Sequence, residues 1–293
     1  MSLSNIMKYS PTLHDLPTTA CIGLDERSID LRRRIVTVLL EAGRGHLAPA
    51  LSLVEILRVL YDEVLRLDPT QPRWPGRDRF ILSKGHGCMA QYVMLADKGF
   101  FPTSELKSFC RAGSRLGGHP EYPHVPGIEA STGSLGHGPS IGIGMALAAR
   151  HDRSNARIFV LIGDGESNEG SVWEAALSGA KHGLDNLTLI VDYNKFQSYG
   201  PTRDVLNLDP LADKWRSFGW AVLEVNGHDI IALRDTFTHL PIEQGKPGVV
   251  ICHTIKGAGI DGVEHNLDWH HKSNLKEAEA QALMDGIGRF PRA

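Results

Sequence analysis

The chain has 293 residues, of which 42% are hydrophobic and 22% are charged, and its formal net charge is −3. This composition is typical of a globular protein with a sizeable core, and the small net charge argues against nucleic acid or an anionic membrane surface as a partner. No apolar run approaches the roughly 20 residues of a membrane-spanning helix, and the amino terminus has no signal-peptide pattern. The four cysteines are scattered and form no C-x-x-C pair, which favours reduced thiols and a cytoplasmic location.

The first part of the chain is predicted to be helical. Residues 1–24 show no hydrophobic periodicity and contain two prolines, so we expect an amino-terminal arm there. Apolar residues at helical spacing begin near Asp25 and stop at Gly43. Ser52 and Glu55 have the spacing of a capping box and predict the start of a second helix.

Short apolar runs then alternate with helical patterns over the rest of the chain. Such runs are typical of strands buried on both faces of a parallel sheet. We predict strands at 80–82, 158–162, 187–191, 220–225 and 248–254. Because there is no repeat and no long linker, residues 25–293 are predicted to form one α/β domain. Its fold class is an open, mostly parallel sheet with helices on both faces.

Two neighbouring predicted strands end in polar residues. Gly163-Asp164-Gly165 follows one strand, and Asn194 follows the next. Ligands bind at the carboxyl edge of open α/β sheets, where a carboxylate and an amide oxygen suit a divalent cation that holds a diphosphate. A dinucleotide fingerprint needs glycine where Asn168 stands, and a Walker lysine is absent, so a generic nucleotide-binding domain is disfavoured.

Five of the fourteen histidines lie in loops or beside glycines. They are His46, His86, His119, His137 and His270. We expect all five at the same sheet edge, as a polar site for a hydroxylated and phosphorylated ligand, because imidazole both donates and accepts hydrogen bonds. A metal site built from these rings is the rival interpretation, although no H-x-x-x-H or H-x-H spacing supports it.

Taken together and in order, these motifs resemble the N-terminal, diphosphate-binding half of transketolase, from about residue 25 to the end. The matching stretches are Gly45-His46, 77–87, Gly118-His119-Pro120, 132–136, Gly163-Asp164-Gly165 with Glu169-Gly170, Asn194 and Trp269-His270. The resemblance implies a thiamine-diphosphate-binding fold, with thiamine diphosphate and Mg²⁺ (or Ca²⁺) as cofactors.

The resemblance also assigns roles to individual residues. It gives the metal to Asp164, Asn194 and the Phe196 carbonyl, and the substrate channel to the catalytic residues His46, His119 and His270. The residues it assigns to cofactor binding are His86, Gly133, Ser134, Leu135, Asp164, Gly165, Glu169, Asn194 and His270. Glu169 further matches a carboxylate in a network that crosses the subunit interface. The chain departs from the family at His137, where glutamine is common, and at His271, where glycine is common.

In the family, the glutamate that activates the aminopyrimidine lies in a second domain. We therefore expect a split transketolase, in which this chain acts with a separate C-terminal subunit that carries the pyrimidine-binding domain. A heterotetramer with two copies of each chain would transfer a two-carbon ketol unit from a ketose phosphate to an aldose. The alternatives are a thiamine-diphosphate-dependent two-carbon transferase of a specialised pathway, a 2-oxo acid dehydrogenase E1-like subunit, and a non-catalytic regulatory or assembly subunit.

Overall fold

A computed structural model describes residues 23–288. The helices in this range are α1 (Glu26–Ala42), α2 (Leu47–Leu51), α3 (Val54–Val59), α4 (Cys88–Asp97), α5 (His137–His151), α6 (Gly170–Lys181), α7 (Thr202–Val205), α8 (Leu211–Ser217), α9 (Ile230–Thr238) and α10 (Glu277–Gly286). The strands are β1 (Arg44–Gly45), β2 (Arg79–Leu82), β3 (Ile158–Gly163), β4 (Leu187–Tyr193), β5 (Ala221–Asn226), β6 (Gly248–His253) and β7 (Lys272–Ser273). The predicted arm lies outside the described residues, apart from Gly23 and Leu24.

A five-stranded parallel sheet organises the fold, with the strand order β2-β3-β4-β6-β5. Every residue of β3, β4 and β6 is buried, as the continuous apolar runs predict. Side chains alternate along β3: Phe159 and Leu161 pack into one hydrophobic cluster, and Val160 packs into the other. Helices α1, α3, α4 and α9 cover the first cluster, and α5, α6 and α8 cover the second. The predicted fold class is confirmed.

The ends of α1 follow the sequence signals. The Asp25 carboxylate accepts a hydrogen bond from the Ser28 N–H at 2.9 Å, and Gly43 ends the helix in the left-handed conformation with φ of 68°. After α1, the short strand β1 pairs antiparallel with β7. This pairing brings the segments that carry His46 and His270 to the same side of the molecule.

The predicted capping box at Ser52 and Glu55 is wrong. Ser52 follows α2, and its hydroxyl donates to Asp192 Oδ2 at 2.8 Å. The Glu55 carboxylate accepts from both terminal nitrogens of Arg32, at 2.6 and 2.9 Å, and pairs with His228 at 2.8 Å. A buried carboxylate gains more from charged partners than from a backbone N–H, so tertiary contacts override the local capping pattern. No helix within residues 23–288 is long and apolar enough to cross a bilayer.

Candidate active site

Asp164 and Asn194 lie where β3 and β4 end, and both are buried. Asp164 Oδ1 accepts from the Gly165 N–H at 2.7 Å, and Oδ2 accepts from the Lys195 N–H at 2.5 Å. Asn194 Oδ1 accepts from the Phe196 N–H at 3.1 Å. The structure therefore brings the two predicted side chains to one sheet edge, as expected from the parallel strands.

The Asp164 carboxylate has no counter-ion among the residues that the structure describes. Burial, together with the nearby Asp192 charge, raises the pKa of Asp164 to about 6. A buried carboxylate held only by backbone N–H groups is well suited to a bound cation. No group of three or more His, Cys, Asp or Glu side chains within residues 23–288 is arranged to hold a metal ion. A cation at Asp164 would therefore need oxygens from Asn194, from the Phe196 carbonyl or from its own ligand.

Two lysines reach the same edge and were not assigned from the sequence. The Lys84 side chain is 1% exposed; its ammonium contacts Asp192 Oδ2 and donates to the Pro49 carbonyl at 3.2 Å. Lys256 donates to the Phe196 carbonyl at 3.1 Å, and burial lowers its pKa to about 8. A usable signal was present in both cases, because each lysine precedes a glycine in the turn that follows a predicted strand.

Glu166 is a third residue that the sequence analysis missed. Its Oε1 accepts from the Gly136 N–H at 2.8 Å and from the Ser83 hydroxyl, and its Oε2 accepts from the Gly163 N–H at 3.1 Å. Glu166 thus joins the end of β3 to the segments after β2 and before α5. The sequence offered no signal for this role, because a glutamate at the start of a helical turn is usually exposed.

Four of the five expected histidines form a cluster around His46. Its ring centroid lies 5.7 Å from that of His86, 5.8 Å from that of His119 and 5.7 Å from that of His270. The expectation for His137 is wrong: it is exposed at the start of α5, where Nδ1 lies 3.0 Å from the Leu135 carbonyl. The helix start turns this ring away from the cleft.

His271 takes the fifth place in the histidine cluster. Its ring centroid lies 4.7 Å from that of His46. Burial and nearby positive charges lower the pKa of His46 to about 4 and that of His270 to about 3. Burial also lowers the pKa values of His86 and His119. These four rings are therefore neutral at pH 7, each with one donor and one acceptor nitrogen.

Glycines allow the loops of the site to approach one another closely. A Cβ on Gly85 would lie 2.7 Å from Thr132 Oγ1 and 2.9 Å from the Gly133 nitrogen. Gly133 has φ of 132° and packs against the His119 ring, where a Cβ would lie 3.0 Å from two ring carbons. The loop after β2 can therefore lie against the 132–136 segment only without side chains at these positions.

These elements enclose a cleft of about 330 Å³. The predicted site residues that line it are His46, His86, His119, Gly133, Leu135, Asp164, Gly165, Glu169, Asn194, Phe196 and His270. Ser134 is exposed and does not line the cleft. Gln197 lines it too, and both Gln197 Nε2 and His270 Nδ1 are buried without a hydrogen-bond partner.

The cleft fits a cation together with a diphosphate ester. Lys84 and Lys256 supply positive charge, and the Asp164 and Asn194 oxygens supply hard ligands. The orphaned nitrogens of Gln197 and His270 are available to a polar ligand. These groups converge from four different segments of the chain, so the cleft has the chemistry that the sequence predicts.

Comparisons with known proteins agree with this geometry. The profile of the family described as "Transketolase, thiamine diphosphate binding domain" matches residues 25–293. One of two subunits named for an apulose-4-phosphate transketolase, from Phocaeicola vulgatus, is 41% identical over 269 residues, covering 92% of this chain and 95% of that protein. "6-deoxy-6-sulfo-D-fructose transketolase subunit SqwG" from Clostridium sp. is 40% identical over 264 residues, covering 90% of this chain and 96% of that protein.

A solved structure shares the fold. The transketolase from Leishmania mexicana superposes with a TM-score of 0.83 at 28% identity. The match covers 92% of this chain but 42% of the Leishmania chain. This chain therefore spans about two fifths of the solved transketolase that it matches.

Proposed function

The chain belongs to the transketolase family as a thiamine-diphosphate-binding domain, and from that premise we propose that it is the N-terminal subunit of a split, two-carbon ketol transferase. The observation that carries the proposal is the convergence of Asp164, Asn194 and the Phe196 carbonyl with two buried lysines in one cleft. A purely structural sheet edge would not need this combination of hard oxygens and ammonium groups.

Asp164, Asn194 and the Phe196 carbonyl would hold Mg²⁺ or Ca²⁺, and Lys256 would lie beside the diphosphate. His86, Gly133, Leu135 and Gly165 line the part of the cleft where the rest of the cofactor would bind, and Ser134 would complete that segment. Glu169, at the amino-terminal end of α6, would join the network with the partner. The bound thiamine diphosphate would supply a nucleophilic carbon and an electron sink for carbon–carbon bond cleavage.

His46, His119 and His270 would act on the sugar substrate. Because these rings are neutral at pH 7, each can accept a proton from a sugar hydroxyl or donate one to a carbonyl oxygen. Their common position around His46 would orient a donor that carries several adjacent hydroxyl groups. Ketose phosphates of carbohydrate metabolism, including the pentose phosphates, fit this requirement better than a 2-oxo acid.

A second chain would complete the active site. Two relatives named as transketolase subunits match this chain over 95% and 96% of their own length, whereas the Leishmania enzyme is matched over 42%. We infer a separate C-terminal subunit with the pyrimidine-binding domain, in a heterotetramer with two copies of each chain. A cytoplasmic location is supported by Cys88, Cys110 and Cys252, which are free thiols.

The test is ketol transfer by the purified chain, with and without its partner, using xylulose 5-phosphate or pyruvate as the donor. The proposal expects turnover of xylulose 5-phosphate only when both chains are present with thiamine diphosphate and Mg²⁺. Asp164→Ala in the complex should abolish turnover, and Asp213→Ala, on the exposed face of α8, serves as the control. Full activity of the Asp164→Ala complex would instead support a non-catalytic role for this chain.

A further inference from the structure

Lys195 has an unusual backbone conformation at the centre of the site. It lies between Asn194 and Phe196, with φ of 66°. This left-handed conformation is unfavourable for a residue that carries a Cβ and is neither asparagine nor aspartate. Something in the surrounding structure must therefore hold Lys195 in this conformation.

The backbone of Lys195 faces the cleft. Its N–H donates to Asp164 Oδ2 at 2.5 Å, and the next carbonyl in the chain, that of Phe196, accepts from Lys256 at 3.1 Å. The conformation of this one residue therefore sets the direction of the Asp164 carboxylate and of the Phe196 carbonyl. Both are groups that we assign to the metal.

The side chain of Lys195 turns the other way, into a second cavity of about 620 Å³. Its ammonium donates to the Tyr193 carbonyl at 2.9 Å, lies 2.9 Å from His253 Nδ1, and sits 4.4 Å from the centroid of the Tyr193 ring. His253 Nε2 in turn lies 2.9 Å from Glu224 Oε2. Three elements thus hold the ammonium: the end of β4, the end of β6 and the middle of β5.

The hydrogen-bond directions in this chain of contacts are fixed. An ammonium group has donors only, so His253 Nδ1 must accept from it. The ring proton of a neutral His253 then lies on Nε2 and is donated to the Glu224 carboxylate. His253 therefore ties Lys195 to β5 through a single tautomer.

We propose that Lys195 is a positioning residue for the metal site, anchored from behind by His253 and Glu224. Its ammonium holds the left-handed backbone turn, and that turn aims the Asp164 carboxylate and the Phe196 carbonyl at the cation. The inference rests on the proposed function, since it concerns the metal and cofactor of that site. It gives the second cavity a role in cofactor affinity without contact with substrate.

The experiment measures Mn²⁺ binding, by electron paramagnetic resonance, to the full chain in complex with its partner and with thiamine diphosphate present. Lys195→Met removes the ammonium and keeps the Cβ, and should weaken Mn²⁺ binding by about 10-fold or more, as is typical for residues that orient metal ligands. The value of kcat at saturating Mn²⁺ and cofactor should stay within about twofold of the wild type. Lys246→Met, at an exposed lysine paired with Glu243, is the matched control and should bind normally.

Two further readouts keep the proposal testable if a variant is less stable. Hydrogen exchange of segment 193–198 should quicken in Lys195→Met, because the N–H donated to Asp164 loses its fixed direction. The double variant with His253→Phe should bind Mn²⁺ no more weakly than Lys195→Met alone, because both changes break one contact chain. Additive losses, or unchanged exchange and affinity in Lys195→Met, overturn the proposal.

The outcomes also separate this inference from the proposed function. A wild-type complex that binds neither Mn²⁺ nor thiamine diphosphate overturns both. A wild-type complex that binds them, together with a Lys195→Met complex that binds equally well, overturns only the role of Lys195.

Discussion

Asp192 sets the orientation of the Asn194 side chain, because its Oδ2 accepts a hydrogen bond from Asn194 Nδ2 at 3.0 Å. The same carboxylate oxygen contacts the Lys84 ammonium and accepts from the Ser52 hydroxyl. With the amide nitrogen turned towards Asp192, the amide oxygen of Asn194 is left for the Phe196 N–H and for a cation. Although burial raises the pKa of Asp192, the Lys84 charge and these hydrogen bonds hold it below its ordinary value.

Replacing Asp192 with asparagine should destabilise the fold. The variant leaves the Lys84 ammonium buried without a counter-charge, and breaking one side of a buried ion pair costs about 3–5 kcal/mol. Urea unfolding measures the change in the free energy of unfolding. The control is Asp213→Asn, at an exposed surface pair with Arg216, which should change it by less than about 0.5 kcal/mol. Equal losses in the two variants would contradict the account.

Asp164→Asn should separate stability from cofactor binding. The raised pKa of Asp164 means that its charge is unfavourable in the cofactor-free fold. The amide variant should therefore be at least as stable as the wild type at pH 7, yet bind thiamine diphosphate with Mg²⁺ at least about 10-fold more weakly. Thermal unfolding without cofactor and isothermal titration with cofactor measure the two effects. A clear loss of cofactor-free stability would show that Asp164 has a structural partner in place of a cation.

Gly85→Ala should push the cofactor loops apart. The added methyl group meets backbone at 2.9 Å, where no flexible side chain can yield, so we expect a loss of about 1–3 kcal/mol in the free energy of unfolding. Gly144→Ala is the matched control, because a Cβ there has nothing within 4 Å and the residue lies in α5. That control should gain up to about 1 kcal/mol from helix propensity. Similar effects of the two changes in urea unfolding would refute the close approach of the loops.

The histidine cluster predicts how stability changes with pH. His46 and His270 have folded pKa values of about 4 and about 3, below the ordinary value of 6.5, so the unfolded chain takes up protons first as the pH falls. Their contribution is fully present above pH 6.5 and is lost as the pH falls from 6.5 towards 4. After solvent screening, each ring should contribute a slope of about 1 kcal/mol per pH unit in that window.

Unfolding curves at pH 7, 6 and 5 measure this slope. The double variant His46→Asn with His270→Asn should lose less stability on acidification than the wild type. His182→Asn, at an exposed histidine outside the cleft, should follow the wild-type curve. Parallel curves for the double variant and the wild type would mean that these rings take up protons as freely in the folded chain as in the unfolded chain.

Much of the fold follows from the sequence, because strands buried on both faces leave long apolar runs and their carboxyl ends share one edge. Asp164 and Asn194 were predictable for that reason. Lys84, Lys256 and Glu166 were not assigned, since a lysine or glutamate in a turn is usually solvated and only distant segments reveal its burial. Ser52 and Glu55 misled for the same reason: their local pattern describes a helix cap, but their partners are Asp192, Arg32 and His228. His137 matched its neighbours in sequence context, yet the start of α5 directs it outward.

The central claim is that this chain is one half of a two-chain transketolase that holds the diphosphate of thiamine diphosphate. The most direct test is native mass spectrometry of the tagged chain purified from its own cells. The account predicts a mass equal to two copies of this chain, two copies of a partner with the pyrimidine-binding domain, and bound thiamine diphosphate. A monomer or homodimer without partner and cofactor would contradict it.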